Sequence, residues 1–550
     1  MLTRRDFHKS LLAVALSSLA TGKTAKAGTA PPEELFLNRL TFGANETGRA
    51  EIARLGINGW VEQQLSLPEQ DSTLAKRLAD VRLLIEYEAG KSEDGQSWPA
   101  LSEYRALQYL DRDPKDMLHL LDFDEPLDFT ERERPAYEVI VASLVRAVHA
   151  PAQLREVMTQ FWHEHFSVNS TKNELTAVFF PSYDRVMRKH AFGNFRTLLG
   201  EVAKSPSMLA YLNNDTSQAS PANENYAREL LELHTLGQDN YFNDIYDDWK
   251  SVPGALEGMA SGYIDQDVYE VARALSGWSI GDGREIGDGT LAPETGRFHY
   301  VEAWHDPYQK RILGVEFPPN SAPLEDGEKV LDMLAAHKGT ALFVTGKMLR
   351  RLGMETPSNA YRQKVAEVFH SNRDAPDQIA QTLRAIIFHD EFANTPARKM
   401  RTPFEFLAAL YRTTGAEVSP KTDAFHYMLK QAGWSQHQVP PPTGHSDHSA
   451  DWANTATLNG LIRLGLEGHS EWFGAETGLL RKPPEGVTDF ARLTAYWERR
   501  FAAPDGALAD VTEALGEEPD SPVWDSGEDM EWLGSGMVTA LALTPEFMFR

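Results

Sequence analysis

At 550 residues and 61.5 kDa the chain can bury a large core, and 42% hydrophobic with 24% charged residues places it among globular rather than disordered proteins. Its formal charge is −26, and residues 1–27 carry five basic side chains against one acid, so their removal leaves about −30; such a surface repels phosphate backbones and argues against nucleic acid or an anionic membrane as partner. There is no cysteine, which excludes disulfides, thiolate zinc sites, iron–sulfur clusters and thioether-linked haem; any bound metal must rest on His, Asp or Glu.

The chain opens on an address. Arg4-Arg5-Asp6-Phe7 and Lys9 precede an apolar run from Leu11 to Ala20 interrupted only by Ser17 and Ser18. As a helix that run would span about 15 Å, half a bilayer core, too short to cross. Ala25-Lys26-Ala27 offers small residues where a signal peptidase reads. The order of these regions predicts a twin-arginine signal peptide over 1–27, cleavage before Gly28, and a periplasmic or secreted mature protein of 28–550 with no membrane span.

Beyond Pro31 the periodicity is helical. Helices are predicted at 33–40 and 47–65, broken at Gly43 and Gly56, then at 135–149 behind Pro135, and at 154–166. Further ones follow at 179–189, 223–234, 267–276, 328–336, 340–352, 359–370, 375–388, 402–414 and 454–464. Residues 111–133, 280–312 and 438–451, rich in Pro, Gly, Asp and His, read as long loops. The expectation is an all-α body, one large multi-helix domain with long irregular loops.

Four segments concentrate reactive side chains. In 223–234, Asn223 is a natural N-cap, and the helical repeat places Glu224, Asn225, Arg228, Glu229 and Glu232 on one arc of about 140°. Three carboxylates around one guanidinium suit a metal, or an acid kept protonated; a solvated amphipathic face is the other reading. In Trp162-His163-Glu164-His165 the two histidines lie about 200° apart on a helix, His165 inward and His163 away, so both meet one ion only if the helix ends inside the motif. Otherwise one is a core and one a surface histidine. Pro307 pushes Asp306 out of the helical region, so His305-Asp306 reads as an exposed pair in a loop. His437, His445, Asp447 and His448 share a proline-rich loop. No Gly-rich phosphate loop, nucleophile elbow or two-histidine zinc-protease helix is present, and Gly281, Gly283, Gly287 and Gly289 lie in an acidic loop unsuited to a dinucleotide.

These stretches, with Leu37-Asn38-Arg39-Leu40-Thr41-Phe42-Gly43, Ala272-Arg273-Ala274-Leu275-Ser276-Gly277-Trp278, Lys310, Gly314, Pro403-Phe404-Glu405-Phe406 and Thr544-Pro545-Glu546-Phe547, give the chain its resemblance to the bacterial domain-of-unknown-function 1800 family. The resemblance implies a helical exported protein and, as partner, a second exported protein of sulfatase-like fold. It departs from the family in about twenty extra residues between Tyr241 and Asp267, and in Tyr308 where a glycine is usual. The leading expectation is a metal-dependent exported enzyme. Glu224, Arg228, Glu229, Glu232, His305 and Asp306 would be catalytic, Asn223 and Asn225 would hold a cofactor, and His163 and His165 would bind a divalent metal. The rival is a non-catalytic envelope protein that binds or helps assemble an exported partner.

Overall fold

The computed structural model describes residues 31–550 apart from 93–94, 471–472, 510–517 and 524–526. The predicted leader lies outside the described residues. Helices make up 53% of the chain, which bears out a mainly helical protein, and six two-stranded sheets are also present among the described residues.

Three helices open the body: α1 (Pro32–Leu40), α2 (Glu46–Ser66) and α3 (Ser72–Asp80). Gly56 breaks α2 as predicted, at φ 69 and ψ 163, a conformation that a residue without Cβ adopts freely. A hairpin absent from the sequence reading follows, β1 (Arg82–Tyr87) against β2 (Leu101–Ala106), pairing Arg82 with Ala106 through Tyr87 with Leu101. Its alternating Leu83 and Ile85 are the buried face.

The centre is α4 (Phe129–His149), flanked by α5 (Gln153–His165) and α6 (Glu174–Lys189). It starts at Phe129, capped by Asp128, and not at Pro135 as predicted. Proline deletes a single intrahelical N–H there, while Val139, Ile140, Val141, Leu144 and Val145 are fully buried and hold the helix through it. Predicted helix 223–234 is α7 (Glu224–Glu229), which widens into a π-helical turn over Leu230–Thr235. After α8 (Asp265–Ala274) the segment expected as a loop forms β3 (Trp278–Asp282) against β4 (Glu294–Tyr300), burying Trp278 and Ile280. Next come α9 (Glu325–Ala336) and α10 (Lys338–Arg351), and then α11 (Pro403–Thr414), which opens on a Thr402/Glu405 capping box and ends at Gly415 with φ 71. Arg550 closes the chain: its guanidinium donates to Glu405 at 2.6 Å and to the carbonyls of Arg39 and Arg351. One connected hydrophobic cluster runs from Phe36 to Met548.

Candidate functional site

The polar arc of α7 lies on the protein's outer side. Tyr226, Ala227, Leu230 and Leu231 face the core; Glu224 and Asn225 are exposed, and Arg228, Glu229 and Glu232 are half-buried. Arg228 pairs with Asp265 at the start of α8 (3.3 Å) and, more distantly, with Glu224 (3.9 Å), while Tyr241 donates to the same Asp265 at 2.8 Å. Burial, with Glu232 adding to it against the opposing Arg228, lifts the Glu229 carboxyl to about 7. The two asparagines make bonds within the protein. Asn223 caps α7 by accepting from the Asn225 N–H and donates its amide to the Asn213 carbonyl at 2.7 Å; the Asn225 amide donates to the Leu212 carbonyl at 3.2 Å. Both staple α7 to residues 212–213, which gives them a structural part in the fold.

The His305–Asp306 loop is a separate, saturated unit. Asp306 is buried, not exposed as expected, and takes both oxygens to Arg273 at 2.8 and 3.0 Å. His305 donates from Nδ1 to the Ser276 carbonyl at 3.0 Å and lies 3.4 Å from Asp326, which also pairs with buried Lys310 at 2.7 Å. Arg273 stands near the far end of α8 from Asp265, about 12 Å along the axis. The loop and the α7 arc therefore do not share a site. The exposed-pair reading failed because Pro307 sets the backbone but says nothing of Arg273 and Lys310, which arrive from elsewhere.

On α5 the two histidines diverge. The helix runs through His165, so no early end brings them to one ion. His163 is buried rather than at the surface, because α6 and residues 436–438 cover its side. Its Nε2 meets Asp184 at 3.0 Å; Asp184 also accepts from Arg188 (2.8 Å) and Arg146 (3.1 Å), and Arg188 continues to Glu156 (2.6 Å). Against the upward push of burial, Arg188, His163 and Arg146 hold the Asp184 carboxyl well below its usual range. His165 donates from Nε2 to the His234 carbonyl at 3.1 Å, at the π turn, leaving Nδ1 buried without a partner among the described residues. Burial, with Lys347 and His234 nearby, holds its pKa well below the ordinary value, so the ring is neutral. Among the described residues no three His, Asp or Glu side chains group as a metal ion requires. His163 and His165 thus sit in two different hydrogen-bonded environments.

His165 instead borders a hollow of about 210 Å³ that the sequence reading did not assemble. It is lined by Glu164 and His165 of α5, Phe343, Lys347 and Arg350 of α10, and residues 443–448. The loop lies directly on α5: a Cβ on Gly444 (φ +70) would stand 2.5 Å from the Glu164 carbonyl oxygen, so only glycine fits. His445 stacks on Trp434 with ring centres 3.7 Å apart, accepts the Ser435 N–H at Nε2 and donates from Nδ1 to Glu164 at 3.1 Å. Burial works against the ionised Glu164, but His445 prevails and keeps its pKa low. Lys347 is different. It sits half-buried over the Phe343 ring at 5.6 Å, with no hydrogen bond or ion pair among the described residues. Burial brings its ammonium down to about 8, although Asp447 and Glu164 pull the other way. A lysine at i+4 from a phenylalanine gave no signal in the sequence; its importance comes from the loop that folds over it.

One polar line on α5 links these environments. Glu156, Gln160 and Glu164 follow at i, i+4 and i+8 along one face. Gln160 donates to Glu164 and accepts from Gln436, each at 2.9 Å, and Gln436 donates to His437, whose ring is 4.3 Å from that of His163.

The fold and site thus define a mainly helical protein built around one buried polar helix, with a hollow at its end that keeps an unpaired lysine and an unshared histidine nitrogen. The chain belongs to the family described as "Protein of unknown function (DUF1800)", which matches residues 35–549. No curated protein and no solved structure matches it. No helix among the described residues is long and apolar enough to cross a membrane.

Proposed function

We propose that the chain is exported by the twin-arginine route to the periplasm or beyond, and that it acts there as an enzyme whose reactive group is the Lys347 amine. The observation that carries this reading is the pairing, in one half-open hollow, of a lysine without a partner and a buried histidine whose Nδ1 lone pair is unshared. An unsatisfied buried polar atom costs about 1–3 kcal/mol, and at His165 the adjoining hollow gives a bound molecule room to supply the missing partner. The neutral Lys347 amine takes a proton from the substrate and returns it from the ammonium so formed, His165 accepts a hydrogen bond at Nδ1, and Arg350 holds a small polar substrate by an anionic group. The volume of about 210 Å³ limits that substrate to a small molecule. The test is untargeted mass spectrometry of spent growth medium incubated with the mature protein or with Lys347→Met. Compounds consumed by the wild type alone support the reading; identical profiles from two well-folded proteins oppose it.

A second reading, the binding of an exported partner of sulfatase-like fold, has its own observation. Five of the eleven exposed large hydrophobic side chains among the described residues belong to the extra segment and its surroundings: Tyr246, Leu256, Met259, Tyr269 and Tyr308. Exposed apolar groups, where they form a patch, mark interaction surfaces. Co-purification of such a partner, abolished by Tyr246→Ser with Tyr308→Ser but unaffected by Lys347→Met, would establish this role in place of catalysis.

A further inference from the structure

At the other end of α5 from the hollow lies a cleft of about 810 Å³, walled by α3 and residues 107–112, with Arg146, Glu156 and Arg188 at its base. The two arginines are unequally supplied with anions. Arg188 donates Nη1 to Glu156 at 2.6 Å and Nε to Asp184 Oδ2 at 2.8 Å. Among the described residues Arg146 reaches that same Oδ2 alone, at 3.1 Å. Its Nε and second terminal nitrogen have no partner among the described residues, yet neither is an atom buried without one. The 12% of the side chain left exposed therefore opens on the cleft it lines. The charges respond accordingly. Burial lowers both groups, but Asp184 and Glu156 carry Arg188 above its ordinary value, whereas burial with Arg188 alongside leaves Arg146 below it.

The base of the cleft thus presents half of a planar fork, two N–H groups without an acceptor, of the geometry that a carboxylate fills bidentately. The rest of the cleft has the opposite character. Away from the base three carboxylates, Glu69, Asp71 and Asp111, line it against one guanidinium, Arg112, and the exposed Glu69 and Asp111 repel a second negative charge and attract an ammonium. Leu74, Leu78, Leu107 and Leu110 supply apolar wall between the two ends. Nucleotides and other polyanions do not suit this distribution.

We propose that the cleft binds a short peptide with apolar side chains, its C-terminal carboxylate on Arg146 and its N-terminal ammonium between Glu69 and Asp111. The wall of α3 takes the side chains, and the room of about 810 Å³ is ample for two or three residues.

The experiment is isothermal titration of the mature protein with trileucine, with its C-terminal amide and with its N-acetyl form. Trileucine is expected to bind once per chain, and amidation or Arg146→Gln each to weaken binding about tenfold or more, since both remove the bidentate pair. Acetylation weakens it less, because the ammonium stays at the wet mouth. Leu78→Asp leaves the ion network untouched and places a carboxylate on the apolar wall; it too is expected to weaken binding, and it decides the matter should Arg146→Gln fail to fold. Failure of the wild type to bind trileucine overturns the proposal, as does equal binding of the amide or unchanged affinity in a folded Leu78→Asp protein.

Discussion

His163 and His165 stand two residues apart on α5, both buried, in surroundings that differ in one respect. Around His163 the charges are joined through one carboxylate: Asp184 receives His163, Arg188 and Arg146, and Arg188 continues to Glu156, so that the donors left over are those of Arg146 that face the cleft. Around His165 the accounts stay open, with Nδ1 unshared, both ring nitrogens of His234 without partners among the described residues, and the Lys347 ammonium unpaired. A buried ion network whose members pair with one another fixes a packing arrangement, and its parts are dispensable only together. A buried polar set that is incomplete, and that borders a cavity, is where a ligand or water completes the bonding. The same comparison separates Asp306, gripped by Arg273, from Glu229, which shares its surroundings with another carboxylate.

This contrast predicts how substitutions differ on the two sides. The largest effect is expected of Asp184→Ala, which leaves two guanidiniums short of their shared carboxylate: about 3–5 kcal/mol of stability, read by urea unfolding at pH 7. A loss below about 1 kcal/mol would mean that the His163 network is not the rigid side. Next comes acid. Burial holds His234 down to about 3 in the folded state, below its unfolded value, so the unfolded chain binds the extra proton first. The stability present above the unfolded pKa is then lost as pH falls from about 6.5 towards 3, amounting to about 2 kcal/mol at pH 5 from this group. His234→Asn should flatten that part of the pH dependence. Glu229 has the opposite sense: its carboxyl is raised to about 7, so stability present below about 4.5 is lost as pH rises through 7. Glu229→Gln is therefore expected to stabilise the protein at pH 8 by about 1 kcal/mol, after allowance for partial exposure, and to be neutral at pH 4. The smallest change in stability is expected of Lys347→Met, within about 1 kcal/mol, because it replaces an unpaired cation by an apolar chain of similar length.

Local structure was legible where one or two residues decide it. The break of α2 at Gly56, the Asn223 cap and the Thr402-Pro403 start of α11 all rest on backbone chemistry that the side chain announces. Where distant segments decide, the reading failed. The hairpins at 82–106 and 278–300 were missed because each strand finds its partner only across a polar connection, in the second pair an acidic glycine loop. His163 was assigned to the surface because one helical stripe was taken as the whole core, whereas α6 and residues 436–438 cover the opposite side. His305 and Asp306 were recognised as a pair, but their partners Arg273, Lys310 and Asp326 come from α8, β-structure and α9. The hollow itself was half-legible: His165 and the 445–448 loop were singled out separately, and nothing in the sequence joined them to Lys347.

The central claim is that Lys347 is a free amine in an open hollow. Competitive acylation of the native mature protein across pH 6–11, with each lysine quantified by mass spectrometry, tests it directly. The account predicts that Lys347 labels with a midpoint near pH 8, ahead of the surface lysines, in keeping with an ammonium brought down to about 8 by burial. Lys347 that stays unlabelled, or that follows the ordinary lysine profile with a midpoint above pH 10, would contradict it.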